Sequence, residues 1–382
     1  MKIALITTDS REHYKDYGNA VPSFGAAPEA LLEGFARLPG IEVHVLSCAR
    51  ARMPAPAKIG PNLFFHGLYV PRLGWTRTAY QGCIRAIRRK LREIQPDIVH
   101  GQGTERECAI CAIYSGFPNV VTIHGNMAEL ARQFRQGPGS YLWLAGLFET
   151  FTLKRTLGVF CNSAYTEGLV RPRARRTWRV PNPLREMFLA APAHASKPAR
   201  CTLINIGEVS ERKRQMEVLA VAEDLRRQGL DFQLRFLGDA PPHKPYVADF
   251  LARLKPLESA GFARCLGLKY GNELLNLLDE STGMIHFSPA ESFGLAVAEG
   301  LARNLKLFAA RVGGVPDIAG GAPGAELFEM NDWRGLTAAV AAWIRQGFPR
   351  AQGAAELMRS RYEPESIARR HLEIYQEALG NS

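Results

Sequence analysis

Short apolar runs alternate with segments of helical periodicity along almost the whole chain. The apolar run over 2–7 is followed by a loop and helix pattern over 24–38, and the strand and turn over 204–215 lead into a helix pattern from Gln215 to Arg227. This alternation is typical of α/β proteins with parallel sheets. Because 382 residues exceed one ordinary domain, we expect two Rossmann-like domains, each with its own core.

The stretch 288–318 carries the most specific pattern. It contains two carboxylates, Glu291 and Glu299, which suit sugar hydroxyls as hydrogen-bond acceptors. We predict that a helix begins at Ser292 or Phe293, so that one carboxylate precedes the helix and the other lies within it. The free N–H groups and partial positive charge of a helix N-terminus favour an anion such as a diphosphate. A sugar nucleotide combines both chemistries.

A glycine pair closes this stretch. Gly313 and Gly314 follow an apolar strand pattern over 305–310 and precede a helix pattern over 315–319. Glycines at such a junction predict a second turn that faces a phosphate. Two such turns indicate one diphosphate.

At this point the chain resembles the retaining glycosyltransferases of family 4, which have the GT-B fold. That family carries two glutamates separated by seven residues, with Phe-Gly soon after the first, and this sequence has Glu291, Phe293, Gly294 and Glu299. The resemblance implies an α/β fold of two Rossmann-like domains facing a central cleft, with the C-terminal helix crossing back to the first domain.

The expected domain boundaries follow from this resemblance. Residues 1–183 form the acceptor domain, the helix over 365–382 packs on it, and residues 184–364 form the donor domain. Proline and alanine enrichment over 181–198 predicts the linker.

The resemblance also implies roles for individual residues. The catalytic residues are Glu291, His124 and Lys213. Of these, Glu291 contacts the donor sugar. The residues that the resemblance assigns to donor binding are Arg212, Ser292, Phe293, Gly294, Leu295, Glu299, Gly207, Gly25 and Ala26. This chain differs from the family pattern at Ala26, at Glu208, where the family has a basic residue, and at Asp317, where the family more often has Glu.

The implied reaction moves a sugar from a nucleoside diphosphate sugar to an acceptor hydroxyl, with retention at the anomeric carbon. The acceptor is a glycan, a lipid-linked or a small molecule, and the expected pathway is assembly of cell-envelope, exopolysaccharide or lipopolysaccharide glycans. No Asp-x-Asp occurs in the sequence, so we expect no metal and no cofactor. Two alternatives are a catalytically silent sugar-nucleotide binder or assembly partner, and a phosphorylase or epimerase-like enzyme on the same fold.

The net charge of +11 indicates an anionic partner. No aromatic-rich basic sheet or recognition-helix signature points to nucleic acid, so we rank an anionic membrane surface first. The helix pattern over 78–94 carries an apolar stripe and six basic residues in and beside it, which a solvated helix face also explains.

The N-terminal apolar run is too short for a signal peptide, and the longest later run, over 141–148, is too short to cross a bilayer. Seven scattered cysteines suit a reducing compartment, and Cys108 and Cys111 are best explained as a buried helical pair. We therefore expect a cytoplasmic protein, with peripheral association at the inner face of the cytoplasmic membrane as the accompanying hypothesis.

Overall fold

The computed structural model describes residues 1–191 and 200–380. Its strands are β1 (Lys2–Ile6), β2 (Glu42–Ala49), β3 (Lys58–Gly60), β4 (Leu63–Tyr69), β5 (Ile98–Gln102), β6 (Asn119–Ile123), β7 (Val159–Cys161), β8 (Thr177–Arg179), β9 (Cys201–Ile206), β10 (Phe232–Leu237), β11 (Ala263–Cys265), β12 (Gly283–His286), β13 (Lys306–Ala310) and β14 (Ala325–Phe328).

Its α-helices are α1 (Ser10–Tyr14), α2 (Ala26–Ala36), α3 (Gln81–Ile94), α4 (Glu107–Ile113), α5 (Met127–Gln133), α6 (Tyr141–Leu153), α7 (Ala164–Val170), α8 (Glu186–Leu189), α9 (Gln215–Arg227), α10 (Pro245–Ser259), α11 (Gly271–Asp279), α12 (Leu295–Ala302), α13 (Val315–Ala319), α14 (Trp333–Arg345), α15 (Ala354–Tyr362) and α16 (Pro364–Gly380). The chain divides into two compact units. The first contains the residues up to Glu186 and those from Tyr362 onward, and the second contains Met187–Arg361.

The first unit is built on one sheet with the strand order β3-β4-β2-β1-β5-β6-β7-β8. Its strands pair in parallel, except that β3 runs antiparallel to β4. Strand β1 lies in the middle, and the chain adds β2 and β4 on one side of it before it returns to add β5 on the other. The sheet therefore has a topological switch point between β1 and β5, where the carboxyl ends of the strands open a crevice.

Helix α16 belongs to the first unit because it packs on α2. A Cβ at Gly34 would lie 2.1 Å from the backbone oxygen of Pro364, so only glycine permits this approach. The ring of His371 stacks on Phe160 at 4.6 Å, and the Tyr375 hydroxyl hydrogen-bonds His100 in the core. The predicted return of the C-terminal helix to the first domain is thus confirmed.

The second unit holds a fully parallel sheet with the order β11-β10-β9-β12-β13-β14. Its central strands β9, β12 and β13 are almost wholly buried, as expected for a parallel sheet covered by helices on both faces. The chain adds β10 and β11 on one side of β9 and then β12 on the other side. The switch point of this sheet lies between β9 and β12.

One predicted helix start was wrong. Helix α3 begins at Gln81 rather than at residue 78, because Ala79 and Tyr80 adopt left-handed backbone conformations that interrupt a helix. The predicted linker over 181–198 contains α8, and its part from residue 192 onward lies outside the described residues.

Candidate functional site

The loops at the switch point of the second sheet carry the main candidate site. Strand β9 runs into the loop 207–214, and its neighbour β12 runs into the loop 287–294. Since both loops follow the carboxyl ends of adjacent parallel strands, they face one another across the crevice in which open α/β sheets bind ligands.

An ion pair joins these two loops. The Lys213 ammonium contacts Oε1 of Glu291, and each side chain is only 14% exposed. His286, the last residue of β12, places its Nε2 3.0 Å from the same carboxylate oxygen. Because a carboxylate only accepts, this nitrogen carries the proton and donates it. Burial raises the pKa of the Glu291 carboxyl, but Lys213 and His286 outweigh it and hold the pKa well below its usual range.

Neighbouring side chains fix the geometry of the first loop. The buried Gln215 side chain donates to the backbone oxygens of Gly207 and Glu208 at 3.3 and 3.1 Å, and it accepts from the Ser210 N–H at 3.2 Å. The stem of Lys213 packs over Gly207, where a Cβ would lie 3.2 Å from the lysine Cδ. Glycine here lets the lysine lie flat on the backbone and reach Glu291.

The second loop ends at the N-terminus of a helix, which has no side-chain cap. Gly294 has φ +105°, a conformation that suits glycine alone, and it precedes α12, which begins at Leu295. The predicted start at Ser292 or Phe293 is therefore wrong by two or three residues, because Gly294 breaks the helical conformation. Ser292 and Phe293 remain in the loop, and the Phe293 ring is buried beneath it.

The second glutamate lies where the pattern predicted it. Glu299 occupies α12, and its side chain is buried. The helix therefore fixes the position of Glu299, whereas Glu291 lies in the loop that precedes the helix.

The glycine pair has a packing role that the sequence did not show. A Cβ at Gly313 would lie 1.7 Å from the backbone oxygen of Glu291, and one at Gly314 would lie 2.5 Å from that of Ser292. The Gly314 N–H donates to the Glu291 oxygen at 3.0 Å. At the turn that we expect to face a phosphate, this N–H bonds the backbone of the Glu291 loop.

Two departures from the family pattern have local explanations. Glu208 forms an ion pair with Lys244 at 2.6 Å on the surface, so its charge is compensated. In the same loop, the backbone oxygen of Arg212 accepts from the Ser288 hydroxyl at 3.3 Å, and this bond links the loop 207–214 to the loop after β12. Asp317 lies in the first turn of α13, where a carboxylate suits the helix dipole.

His124 lies in the first unit, directly after β6. Its Nε2 donates to Oε1 of Gln102 at 2.9 Å, and the Gln102 amide in turn lies 3.2 Å from Nε2 of His100. Burial lowers the pKa of His124 to about 4. The imidazole is therefore neutral at pH 7, and its Nδ1 is an acceptor. His100 is fully buried between aromatic rings, as a core histidine is.

The remaining predicted residues of the first unit lie at the start of α2. Gly25 is the N-cap of this helix with φ −61°, and Ala26 is its first residue. A Cβ at Gly25 would meet only a proline carbon at 3.7 Å, so the local structure itself does not require glycine. Cys108 and Cys111 are buried in α4, as predicted.

Within residues 1–191 and 200–380, no three His, Cys, Asp or Glu side chains cluster in a way that would hold a metal ion. Over the same residues, no helix combines the length and hydropathy that a bilayer crossing requires.

Comparison with known families and structures gives this site its context. The profile of glycosyltransferase family 4 matches residues 29–185, and that of glycosyl transferases group 1 matches residues 190–359. The sequence matches none of the curated proteins with which it was compared.

Solved structures resemble the whole chain. A sucrose-phosphate synthase from Thermosynechococcus elongatus superposes with a TM-score of 0.78 at 17% identity, over 100% of both chains. Anabaena HepE in complex with UDP-glucose gives 0.72 at 15% identity, over 99% of this chain and 100% of its own. The apo form of WaaB, a lipopolysaccharide outer core galactosyltransferase, gives 0.66 at 14% identity, over 99% and 100%.

The fold and the two matched domains define a glycosyltransferase of the GT-B class. Within that class, the chain is of the family 4 type, with a family 4 domain followed by a group 1 domain.

Proposed function

We propose that the protein transfers a sugar from a nucleoside diphosphate sugar to an acceptor hydroxyl, with retention of configuration and without a metal ion. The observation that carries this proposal is the Lys213–Glu291 pair, which joins the two loops at the switch point of the second sheet. A cation and a carboxylate held side by side match a ligand that has a diphosphate next to a sugar.

The pair keeps free bonding capacity for such a ligand. An ammonium has three N–H donors, and Glu291 takes one of them, so the others reach phosphate oxygens. Glu291 accepts from both Lys213 and His286 through Oε1, which leaves Oε2 for a sugar hydroxyl. The amides at the start of α12 add a partial positive charge for the diphosphate.

Other residues complete the proposed site. Arg212 adds a second cation, Gly207 and the segment 292–295 line the diphosphate, and Glu299 binds the ribose. For the first unit, we propose that His124 acts as a neutral hydrogen-bonding group toward a sugar and that Gly25 and Ala26 contact substrate. The cations and amides stabilise the leaving diphosphate in place of a metal ion. The proposed reaction therefore requires no cofactor.

Known relatives support the donor and the pathway. The HepE structures contain UDP-glucose or UDP, and WaaB is described as a lipopolysaccharide galactosyltransferase. We propose the same donor class here, and a glycan, lipid-linked or small-molecule acceptor in cell-envelope or exopolysaccharide assembly.

A panel of UDP-, GDP- and ADP-sugars in EDTA, without acceptor, tests the proposal. We expect one nucleotide series to raise the melting temperature and to be hydrolysed slowly. No stabilisation by any series would refute the donor site, whereas stabilisation with hydrolysis only after replacement of EDTA by Mg²⁺ would refute metal independence. Binding without hydrolysis would favour a silent sugar-nucleotide binder.

We propose further that the protein associates with anionic membrane surfaces through α3. Arg85, Arg88 and Arg92 lie on its exposed face, while its apolar stripe is buried in the first unit. Leu73, in the segment before α3, is 75% exposed, and apolar side chains among basic ones suit a lipid headgroup layer.

Exchange of these three arginines for glutamate tests the membrane proposal. Each basic residue near the surface contributes about 1 kcal/mol to binding anionic lipid, so we expect sedimentation with phosphatidylglycerol vesicles to fall steeply. Reversal of Arg226 and Arg227, on α9 of the second unit, is the control. Unchanged sedimentation of the α3 variant would contradict the proposal.

A further inference from the structure

The first unit repeats the topological arrangement that positions the donor residues in the second. In the second unit, Glu291 follows β12, the strand added across the switch point from β9. In the first unit, β5 is added across the switch point from β1, and the loop after β5 carries Glu105. Both glutamates therefore lie at the crevice that parallel sheets use for ligands.

Backbone groups hold the Glu105 carboxyl in place. Its Oε1 accepts from the Gly125 N–H at 2.8 Å, in the loop after the neighbouring strand β6. Its other oxygen lies over Gly103, where a Cβ would be only 2.2 Å away, and Gly103 has φ +90°. The side chain is half-buried, and in the described part of the chain no Lys, Arg or His forms an ion pair with it.

The nearby Glu149 provides a contrast. It is fully buried, and it accepts from the Thr104 hydroxyl at 2.9 Å, from the Met127 N–H at 2.8 Å and from Arg173 at 2.8 Å. These bonds explain the buried carboxylate of Glu149, which fixes the loops after β5 and β6. Glu105 has no comparable set of side-chain partners, and its carboxyl is held by backbone N–H groups.

An exposed aromatic ring borders the same loop. The hydroxyl of Tyr141 donates to the backbone oxygen of Glu105, and half of the side chain faces solvent. Ser140 caps the helix at this point and fixes the position of the ring. An exposed aromatic ring that contacts the loop carrying a carboxylate suits a sugar ring, which presents C–H groups to the aromatic ring and hydroxyls to the carboxylate.

We propose that Glu105 and Tyr141 form a binding subsite for a pyranose ring of the acceptor, in which Glu105 accepts a hydrogen bond from a ring hydroxyl. This inference rests on the proposed glycosyl transfer and specifies its acceptor side. Gly103 is required because a side chain there would displace the carboxylate.

The protonation of Glu105 makes the subsite sensitive to pH. Burial raises the pKa of its carboxyl to about 7 against the opposing backbone N–H groups, and the charge of Glu149 adds to the rise. Of the other groups around the loop, His124 is neutral, Arg106 pairs with Glu107, and Tyr141 contacts the loop backbone. Ionised Glu105 is the better acceptor, so the subsite binds more tightly above pH 7.

Saturation-transfer NMR with methyl glucoside, galactoside and mannoside tests the subsite. We expect wild type to bind at least one of them, and roughly five- to tenfold more tightly at pH 8.5 than at pH 6, following ionisation of Glu105. Glu105→Gln, which keeps the bond from Gly125, should bind roughly as wild type does at pH 6 and lose the pH dependence. Tyr141→Ala should weaken binding at every pH.

Two measurements separate this inference from the donor site. Glu129→Gln on α5, whose carboxylate is 13% exposed and paired with Arg132, is the matched control and should bind the glycoside as wild type does. Stabilisation by the nucleotide sugar should be the same in wild type and in Glu105→Gln, because Glu105 is not a donor residue.

The outcomes are distinct. Absence of glycoside binding to wild type, or unchanged affinity and pH profile in Glu105→Gln, would overturn the subsite while donor stabilisation remained. Loss of donor stabilisation in wild type would instead overturn the proposed function.

Discussion

Removal of the Lys213 side chain is the sharpest test of how the donor is held. Lys213 is the cation that contacts Glu291 across the switch point of the second sheet, and it is 14% exposed. Lys213→Ala removes one charged partner from the diphosphate and leaves Glu291 with His286 as its neighbour. The variant should therefore lose transition-state stabilisation as well as donor affinity.

The magnitude follows from the type of contact. A hydrogen bond to a charged group contributes about 1.5 to 3 kcal/mol, and about 1.4 kcal/mol corresponds to a tenfold change in rate. We therefore expect kcat/KM for the donor to fall roughly 10- to 150-fold. The helix start at Leu295 does not replace the lysine, because a helix terminus provides only about 0.3 to 1 kcal/mol, and about 2 when partly buried.

The assay is the initial rate of donor turnover at limiting donor concentration. Lys306→Ala is the matched control, because Lys306 is also 14% exposed and ion-paired with a glutamate but lies at the amino end of β13, away from the carboxyl ends of the strands. Circular dichroism and melting temperature establish that both variants fold. A decrease of less than threefold for Lys213→Ala, or an equal decrease for Lys306→Ala, would refute the assignment of Lys213.

Three further predictions concern the loop that carries Glu291. Gly313→Ala should lower the melting temperature and donor turnover, because its Cβ would clash with the Glu291 backbone. The control is Gly321→Ala, because Gly321 has φ +71° but open space around it. This variant should lower the melting temperature less and leave turnover unchanged. Equal effects of both would contradict the packing argument. The difference in unfolding free energy between wild type and Glu291→Gln should be constant from about pH 5 to 9, because the depressed pKa keeps Glu291 ionised there. The difference should shrink as the pH falls below about 4. Denaturant melts at several pH values measure it, and a change near neutral pH would refute this prediction. Gly294→Ala should cost about 1 to 3 kcal/mol through backbone strain, measured in the same melts, and a neutral effect would be inconsistent with φ +105°.

The sequence was informative where the proposed site lies at the end of a strand. Glu291 and Lys213 each follow an apolar run, and the alternation of strands and helices predicts that such positions meet at one edge of a sheet. Their ion pair, however, depends on which strands are neighbours. The order of β9 and β12 in the sheet is not encoded in local periodicity, so the contact itself was not predictable.

Residues that act through tertiary contacts were missed or misread. His286 ends an apolar run and has the pattern of a core residue, and only the fold shows that it bonds Glu291. Gln215 has the pattern of an ordinary first helical residue, and only the fold shows that it holds the loop after β9. The sequence of Gly313 and its neighbours predicts a phosphate-facing turn, and only the fold shows that Gly313 also packs closely on the Glu291 backbone. Glu105 lies in a short polar loop with no distinctive spacing, and its surroundings come from β6 and α6.

Hydrogen exchange with mass spectrometry tests most directly where the donor binds. The protein would be compared with and without the nucleoside diphosphate that stabilises it most, in EDTA. The account predicts slower exchange in peptides that cover 207–214 and 287–295, and no change at the start of β13. Protection confined to another surface, such as the groove between α9 and α14 that Met216 and Trp333 line, would contradict it.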